Sequence, residues 1–596
     1  MTGGLEWCLA VGLATCSAFA VACAPADLSC SERTSCPLNV DSDVGSDASS
    51  HADRAENADV RTDAATDPAE PPVESGVDAT IDAAKIDAPN VEDGEAGSSE
   101  DTRYDTVVPD ARPVIDVMSE PDACDPSTSK SPIESTCLIS ERYGIFVSPQ
   151  GSDTTGAGIR AAPYKTLMKA MQSANGNVMR VYACDEGSGY TDALTIDVTF
   201  DGMSLYGGFE CTTWTYATTR RARVHPASGV ALNVKGLSAG LRIEDFEFDA
   251  VDASAGESSI GAIVDTAVNV VLRRVKIFTG KGGAGADGVS GANGADAPSV
   301  GVQQQGAFAK CPTQLTEESG GTWGGSSLCG SRGGNGGNSK RGLPGAPGHS
   351  GIPTSNITTP NLGTGGAPGE NGEDGAKGSD GNAGPPGLTS SEGFFSVSGY
   401  TVGQSGGNGL DGYPAQGGGG GGASNASGLC IGASGGPGGM GGCGGALGTG
   451  GGSAGASVAL LTWMSAMTLD DCELAASAGG SGGKGGNGGK GGAGKPGGVG
   501  GAAYTGDAGA SADGGAGPGK GGDGGTGGNG GSGGSGAGGS GGPSYTVVYK
   551  GAAPSKLNGT LLAHGAGGAK GIGGAVTTVK APDGAIGVAA EEFIVP

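Results

Sequence analysis

The chain has 596 residues, of which 128 are glycine and only 5% are aromatic, so any single apolar core is small for the length. The formal net charge of -28 is concentrated: residues 26–125 carry 26 Asp and Glu against 6 Lys and Arg, and account for 20 of those charges. With no basic stripe and few stacking aromatics, the chain lacks the electrostatic footprint of nucleic-acid binding, and no nucleic-acid partner is expected.

Residues 1–23 read as an export signal, because an apolar run from Leu9 to Ala22 ends in small residues before Cys23. The segment resembles a bacterial lipoprotein signal. That resemblance implies cleavage before Cys23, lipidation of Cys23, an outer-membrane anchor and a cell-surface location, with a plain secretory signal as the alternative. Cysteine usage agrees with an oxidising compartment. The candidate disulfide cysteines fall into near neighbours, Cys30 and Cys36, Cys124 and Cys137, Cys184 and Cys211, Cys311 and Cys329, Cys430 and Cys443, with Cys472 left over. None has the CxxC spacing of a zinc or redox site, so bonds between neighbours are expected, although spacing alone does not fix connectivity.

Residues 24–139 are rich in Asp, Ala, Pro, Ser and Thr without helical or strand periodicity. Such a stretch cannot bury enough apolar surface to offset its conformational entropy, and the expectation is a disordered, self-repelling acidic linker. Order is expected from YGIFVSPQGSDTTGAGIRAAPYKTLMKAMQSA at Tyr143, with a short strand at Ile145 to Val147, a polar loop, and a helix presenting Leu167, Ala170, Met171 and Ala174 on one side. This stretch, with LYGGFECTTWTY from Leu205, resembles the opening segment of the pectin-lyase-like right-handed parallel β-helix proteins. The resemblance covers residues 140–280 and implies a helix capping the first coil.

An internal repeat supports stacked coils. LRIEDFEF from Leu241, VVLRRVKIF from Val270, MTLDDCEL from Met467 and SKLNGTLL from Ser555 align on Ile243, Leu272, Leu469 and Leu557. The following inward positions are Phe246, Val275, Cys472 and Thr560, then Phe248, Ile277, Leu474 and Leu562, and the change of parity predicts a bend after the anchor. Cys472 is therefore expected inside the stack, as a small apolar residue needing no partner. Glu244, Arg273 and Asp470 are expected outward in one column, and Glu247, Lys276 and Glu473 in another, as ladders of alternating charge.

After the later coils the chain departs into glycine-rich sequence at one aligned corner, giving insertions at 281–455 and 477–543 around a coil at 456–476, with final coils in 544–596. Glycine recurs every third residue from Gly479 to Gly500 and from Gly521 to Gly542. A three-residue period matches an extended left-handed helix, and such helices can pack side by side through backbone hydrogen bonds, as in polyglycine II. The pattern is similar to glycine-rich phage adhesins and springtail antifreeze proteins, and shares the GGX composition of mycobacterial PE_PGRS proteins, whose PE segment is missing here. Collagen would need more Pro in the triplets, whereas a flexible linker is the open competing reading. GGAGADGVS from Gly282 and GGNGLDGYP from Gly406 also fit the nonapeptide of calcium β-rolls, and GANGADAPS from Gly291 nearly does, so calcium is the one metal expectation.

The fold expectation is thus all-β: a right-handed parallel β-helix with glycine-rich insertions forming polyglycine II-type helices, preceded by the acidic linker. No catalytic residue is assigned, since His51, His225, His349 and His564 are isolated along the chain. The leading functional expectation is a non-enzymatic surface protein, similar to glycine-rich lipoproteins of soil bacteria, with extracellular polysaccharide or matrix as partner. The alternative is a polysaccharide lyase or glycoside hydrolase using Asp245, Glu247, Asp470 and Asp471 with Arg273. Ice or carbohydrate binding by a flat glycine surface is a third option.

Overall fold

Short runs of β-branched and aromatic residues, interrupted every few positions by glycine, favour brief strands over helices. The computed structural model describes residues 124, 130–174, 179–354, 361–367, 369–506 and 517–596, so Cys23, Cys30, Cys36 and the linker up to residue 123 lie outside the described residues. Within them the regular secondary structure is mostly strand, in three parallel sheets and three two-stranded antiparallel pairs, with a single seven-residue α-helix.

The first sheet orders Ile145–Val147, Arg180–Cys184, Ser204–Phe209, Leu241–Glu244, Val270–Arg273, Met467–Asp470 and Ser555–Leu557. The second orders Ala222–Val224, Phe246–Asp249, Lys276–Phe278, Glu473–Ala475 and Leu561–Ala563, and the third runs from Leu194–Ile196 through Leu232–Lys235, Ser259–Asp265, Ser457–Trp463 and Ser544–Lys550 to Ala589–Ile594. From Ser204 onward the chain visits the first, second and third sheet in that order in every round. Register is continuous: Ile243, Leu272 and Leu469 pair in the first sheet, and Phe248, Ile277 and Leu474 in the second.

The parity change has a concrete cause. A single residue, Asp245, Arg274 or Asp471, turns the chain between the two sheets at φ 60°, 52° or 56°, the left-handed region that costs most side chains about 1–2 kcal/mol. The fourth repeat departs from expectation here. Lys556 pairs with Leu469 and Leu557 with Asp470, one residue out of the expected register, and the two-residue bend Asn558-Gly559 restores Leu562 opposite Leu474. Leu557 consequently faces outward and is half exposed rather than inward.

Between the sheets, Ile243, Leu272, Leu469, Phe248, Ile277, Leu474, Val264, Leu460 and Val547 form one apolar cluster, and Cys472 is buried within it. The helix Leu167–Ser173, started by Thr166 accepting the Lys169 N–H, adds Leu167, Ala170 and Met171 to the same cluster near Val147 and Val181. Residues 130–139, expected in the linker, pack against the first strands: Leu138 is fully buried and Glu134 pairs with Arg273 at 3.2 Å. Phe146, Tyr182, Tyr206, Phe209 and Trp214 make a second, aromatic cluster with the Cys184–Cys211 disulfide.

The glycine-rich segments follow the second-sheet strands ending at Phe278, Ala475 and Ala563 and precede the third-sheet strands starting at Ser457, Ser544 and Ala589. They run as extended threads joined by main-chain hydrogen bonds that advance three residues at a time. Gly282, Gly285, Gly288, Gly291 and Gly294 donate to Ala478, Ser481, Lys484, Asn487 and Lys490 at 2.7–3.0 Å. Thread 521–542 bonds to four others: Gly530 donates to Gly492, Gly531 donates to Tyr413 and accepts from Gly445, and Asn529 accepts from Gly381. A Cβ on Gly531 would overlap the Asn382 carbonyl oxygen, so the interior thread admits no side chain there. The main chain thereby satisfies itself where no apolar packing exists.

Candidate functional site

Two regions concentrate chemistry: the bend between the first and second sheets, and the faces of the glycine slab. At the bend, strand curvature brings Glu244 and Asp245 of one round beneath Arg274 of the next. Arg274 Nε reaches Asp245 Oδ1 and its Nη2 reaches Glu244 Oε2, both at 2.8 Å, while Arg242 Nη1 meets Glu244 Oε1 at 2.8 Å. Tyr216, from the LYGGFECTTWTY segment, donates its hydroxyl to Asp245 and accepts from Arg274 Nη2 at 3.1 Å. Burial opposes the charged form of Arg274, but the hydrogen bond and charge of Asp245 outweigh it and hold the guanidinium above its ordinary pKa. Burial, reinforced by the Asp245 charge, raises the Tyr216 phenol.

Glu244 is completely buried, which corrects its expected outward position. The reason is local: two arginines flank it, and the segment through Tyr216 covers the bend. The rest of the two columns does form ladders. Arg273 pairs with Asp470 at 3.2 Å, Lys276 with Glu473 at 2.6 Å and Arg223 with Glu247 at 3.5 Å. Burial, then Asp249, raises the Glu247 carboxyl against the pull of Arg223 and Lys276. Of the residues expected for sugar cleavage, Asp245 is thus sealed under Tyr216 and Arg274, Glu247 and Asp470 lie in ion pairs, and Asp471 is exposed at the bend. Asp245, Arg274 and Asp471 take the same bend position in successive rounds.

On the slab, edge threads close their neighbours' N–H groups with short side chains. Asp287, Asn293 and Asp296 accept from the N–H groups of Lys484, Lys490 and Ala493 at 2.7–2.9 Å. Asn371, Asp374 and Asp380 do the same for Lys520, Asp523 and Asn529 at 2.7–2.8 Å. Asp411 accepts from Leu447 N–H at 2.8 Å. The aspartates of the calcium-like nonapeptides, Asp287, Asp296 and Asp411, therefore bind main chain, and among the described residues no group of three His, Cys, Asp or Glu stands together as a metal site. Along residues 371–380 and 484–490 Asx and Lys side chains, Asn371, Asp374, Lys377 and Asp380, and Lys484, Asn487 and Lys490, recur about every 9 Å.

Sequence reasoning missed a seam of hydroxyls where the threads leave the sheets. Thr279 and Ser457 hydroxyls meet at 2.7 Å, Ser477 Oγ donates to Thr279 O at 2.7 Å and Ser544 Oγ donates to Ser477 O at 2.6 Å. The sequence signal was a Thr or Ser just after two of the departing strands, Thr279 and Ser477, and a Ser opening two of the returning strands, Ser457 and Ser544; the last round has neither.

Cys124 bonds Cys137 and Cys184 bonds Cys211. The other two bonds cross the expected neighbours: Cys311 joins Cys430 and Cys329 joins Cys443. Antiparallel bonding of Lys310 with Ile431, 3.1 and 3.0 Å in the two directions, sets Cys311 beside Cys430 with Cα atoms 4.4 Å apart. Cys472 is unpaired, and burial pushes its thiol up to about 11. His225 Nε2 lies 2.9 Å from the Ser188 carbonyl oxygen and His564 Nδ1 lies 2.8 Å from that of Gly565. Among the described residues no helix is long and apolar enough to cross a membrane. No protein-family model matches the chain, and neither do the curated proteins or the solved structures.

Proposed function

We propose that the protein is an exported, non-enzymatic surface protein whose glycine slab serves as a structural or adhesive platform toward extracellular polysaccharide or matrix. In this reading the three sheets are the walls of a right-handed parallel β-helix, the threads are polyglycine II helices, and a lipid on Cys23 holds the acidic linker at the outer membrane. One observation carries it: main-chain bonding of thread 521–542 to the neighbouring threads around Gly381, Tyr413, Gly445 and Gly492 makes a stiff body out of sequence with almost no apolar side chains. Four disulfides support an oxidising location. The Asx and Lys side chains of residues 371–380 and 484–490 offer acceptors and donors to the hydroxyls of an extended sugar polymer.

The test is cosedimentation with insoluble extracellular polysaccharide. The whole chain is expected in the pellet, whereas a chain lacking residues 281–455 and 477–543 should stay in solution. Shortening of the polymer on incubation would identify a lyase or hydrolase instead. Release of the Cys23→Ala protein into the medium would separate anchoring from binding.

A further inference from the structure

The groove that holds residues 566–574 continues beyond them. Ala566, Ala569 and Ile572 accept from the N–H groups of Gly479, Gly482 and Gly485 on one wall, and Gly568, Gly571 and Gly574 donate to the carbonyls of Gly542, Gly539 and Gly536 on the other. The chain then turns back through the hairpin of Ala575–Val576 and Val579–Lys580. Both walls go on. At the following positions of the same ladder stand the N–H groups of Gly491 and Gly497 and the carbonyls of Gly533, Gly530 and Gly527, and among the described residues none of these five has a hydrogen-bond partner. Between them, Gly488, Gly494 and Gly500 are met only by the side chains of Ser535, Asn529 and Asp523 at 2.8–3.1 Å. A hollow of about 620 Å³ lies at Gly491 and Gly530, in the middle of this run, lined also by Lys490, Ala493, Asn529 and Ser532 and by Thr577 of the hairpin.

We infer that this hollow is a docking site for a glycine-triplet segment of another polypeptide, laid in line with residues 566–574. The inference rests on reading the slab as stacked polyglycine threads. The two walls specify the guest. Its carbonyls take the Gly491 and Gly497 N–H groups, its N–H groups reach Gly533, Gly530 and Gly527, and it carries glycine at every third position. A Cβ at Gly568, Gly571 or Gly574 would overlap the carbonyls of Gly480, Gly483 or Gly486, and the same wall continues past the hairpin. Apolar side chains contribute nothing to such recognition. Backbone complementarity and the glycine period do.

The probe is a labelled synthetic peptide with the sequence of residues 564–575, titrated into the full chain and followed by fluorescence anisotropy. Saturable binding is expected. It should weaken more than about tenfold when the peptide glycines corresponding to Gly568, Gly571 and Gly574 become valine, and equally in Ala493→Trp protein, which fills the hollow from an edge side chain. Hydrogen exchange of residues 479–485 is read on the same sample. Protected amides there with no saturable binding, or with equal binding of both peptides, would overturn the docking site and leave the thread packing intact. Free exchange there would overturn both. Self-association of the protein that Ala493→Trp abolishes would make the occupant a second copy and overturn the separate guest.

Discussion

Arg274 closes on Asp245 across one round of the stack, with Nε 2.8 Å from Oδ1 and both residues themselves in left-handed backbone conformation at the bend. The pair shows how the bend between the sheets is held. Two residues that the backbone geometry disfavours are kept in place because their side chains neutralise each other where water is excluded.

Removing one partner leaves the other charged and buried. Arg274→Ala is expected to destabilise by about 3–5 kcal/mol, because buried Asp245 loses its counter-charge and Glu244 is left with Arg242 alone. Arg273→Ala, whose pairs with Glu134 and Asp470 are partly solvated, should cost about 1 kcal/mol or less. Urea unfolding of the two variants checks the contrast, and equal losses would contradict it.

Cys472 donates its thiol to the Leu272 carbonyl at 3.2 Å and sits in the main apolar cluster. With burial holding the thiol at about 11, iodoacetamide at pH 8 should leave it unmodified in the native protein and label it after denaturation. Mass spectrometry of the peptide spanning residues 467–484 reads the outcome.

Gly531→Ala places a methyl against the Asn382 carbonyl inside the slab, whereas Gly517→Ala meets open space. The first is expected to destabilise by about 1–3 kcal/mol and the second to be neutral. Thermal melts of both proteins check this difference between an interior and a marginal glycine.

Asp201 accepts from the N–H groups of Ser238, Ala239 and Gly240 at 2.9 Å. Burial works against the carboxylate, but those bonds outweigh it and keep its pKa well below the usual range. A depressed native value means stabilisation above the unfolded pKa of about 4 that fades as pH falls through the native one. Asp201→Asn should therefore cost about 1 kcal/mol at pH 7, at the solvent-screened end for charged hydrogen bonds, with the gap narrowing in acid. Denaturation midpoints at pH 7, 4 and 3 test the sign.

Much of the sheet architecture was legible because inward residues recur: Ile243, Leu272 and Leu469 announce their register by apolar periodicity alone. The last round misled, since one extra residue at Asn558-Gly559 is invisible to an alignment anchored on leucines. Glu244 looked outward because alternation cannot register the arginines and tyrosine that distant segments bring over it. The same limit hid the Cys311–Cys430 and Cys329–Cys443 bonds, whose partners are brought together by threads more than a hundred residues apart. The aspartates at 287, 296 and 411 resembled metal ligands because both uses place a carboxylate at a fixed step in a glycine period. Which donor they meet depends on the neighbouring thread.

Hydrogen exchange across residues 479–501 and 521–542 tests the central claim most directly, that main-chain bonds between threads hold this half of the molecule together. The glycine amides bonded to another thread's carbonyl should exchange as slowly as those of Val270–Arg273 and Met467–Asp470, with Gly491 and Gly497 as the fast exceptions. Exchange within seconds in both threads, while the strands stay protected, would contradict it.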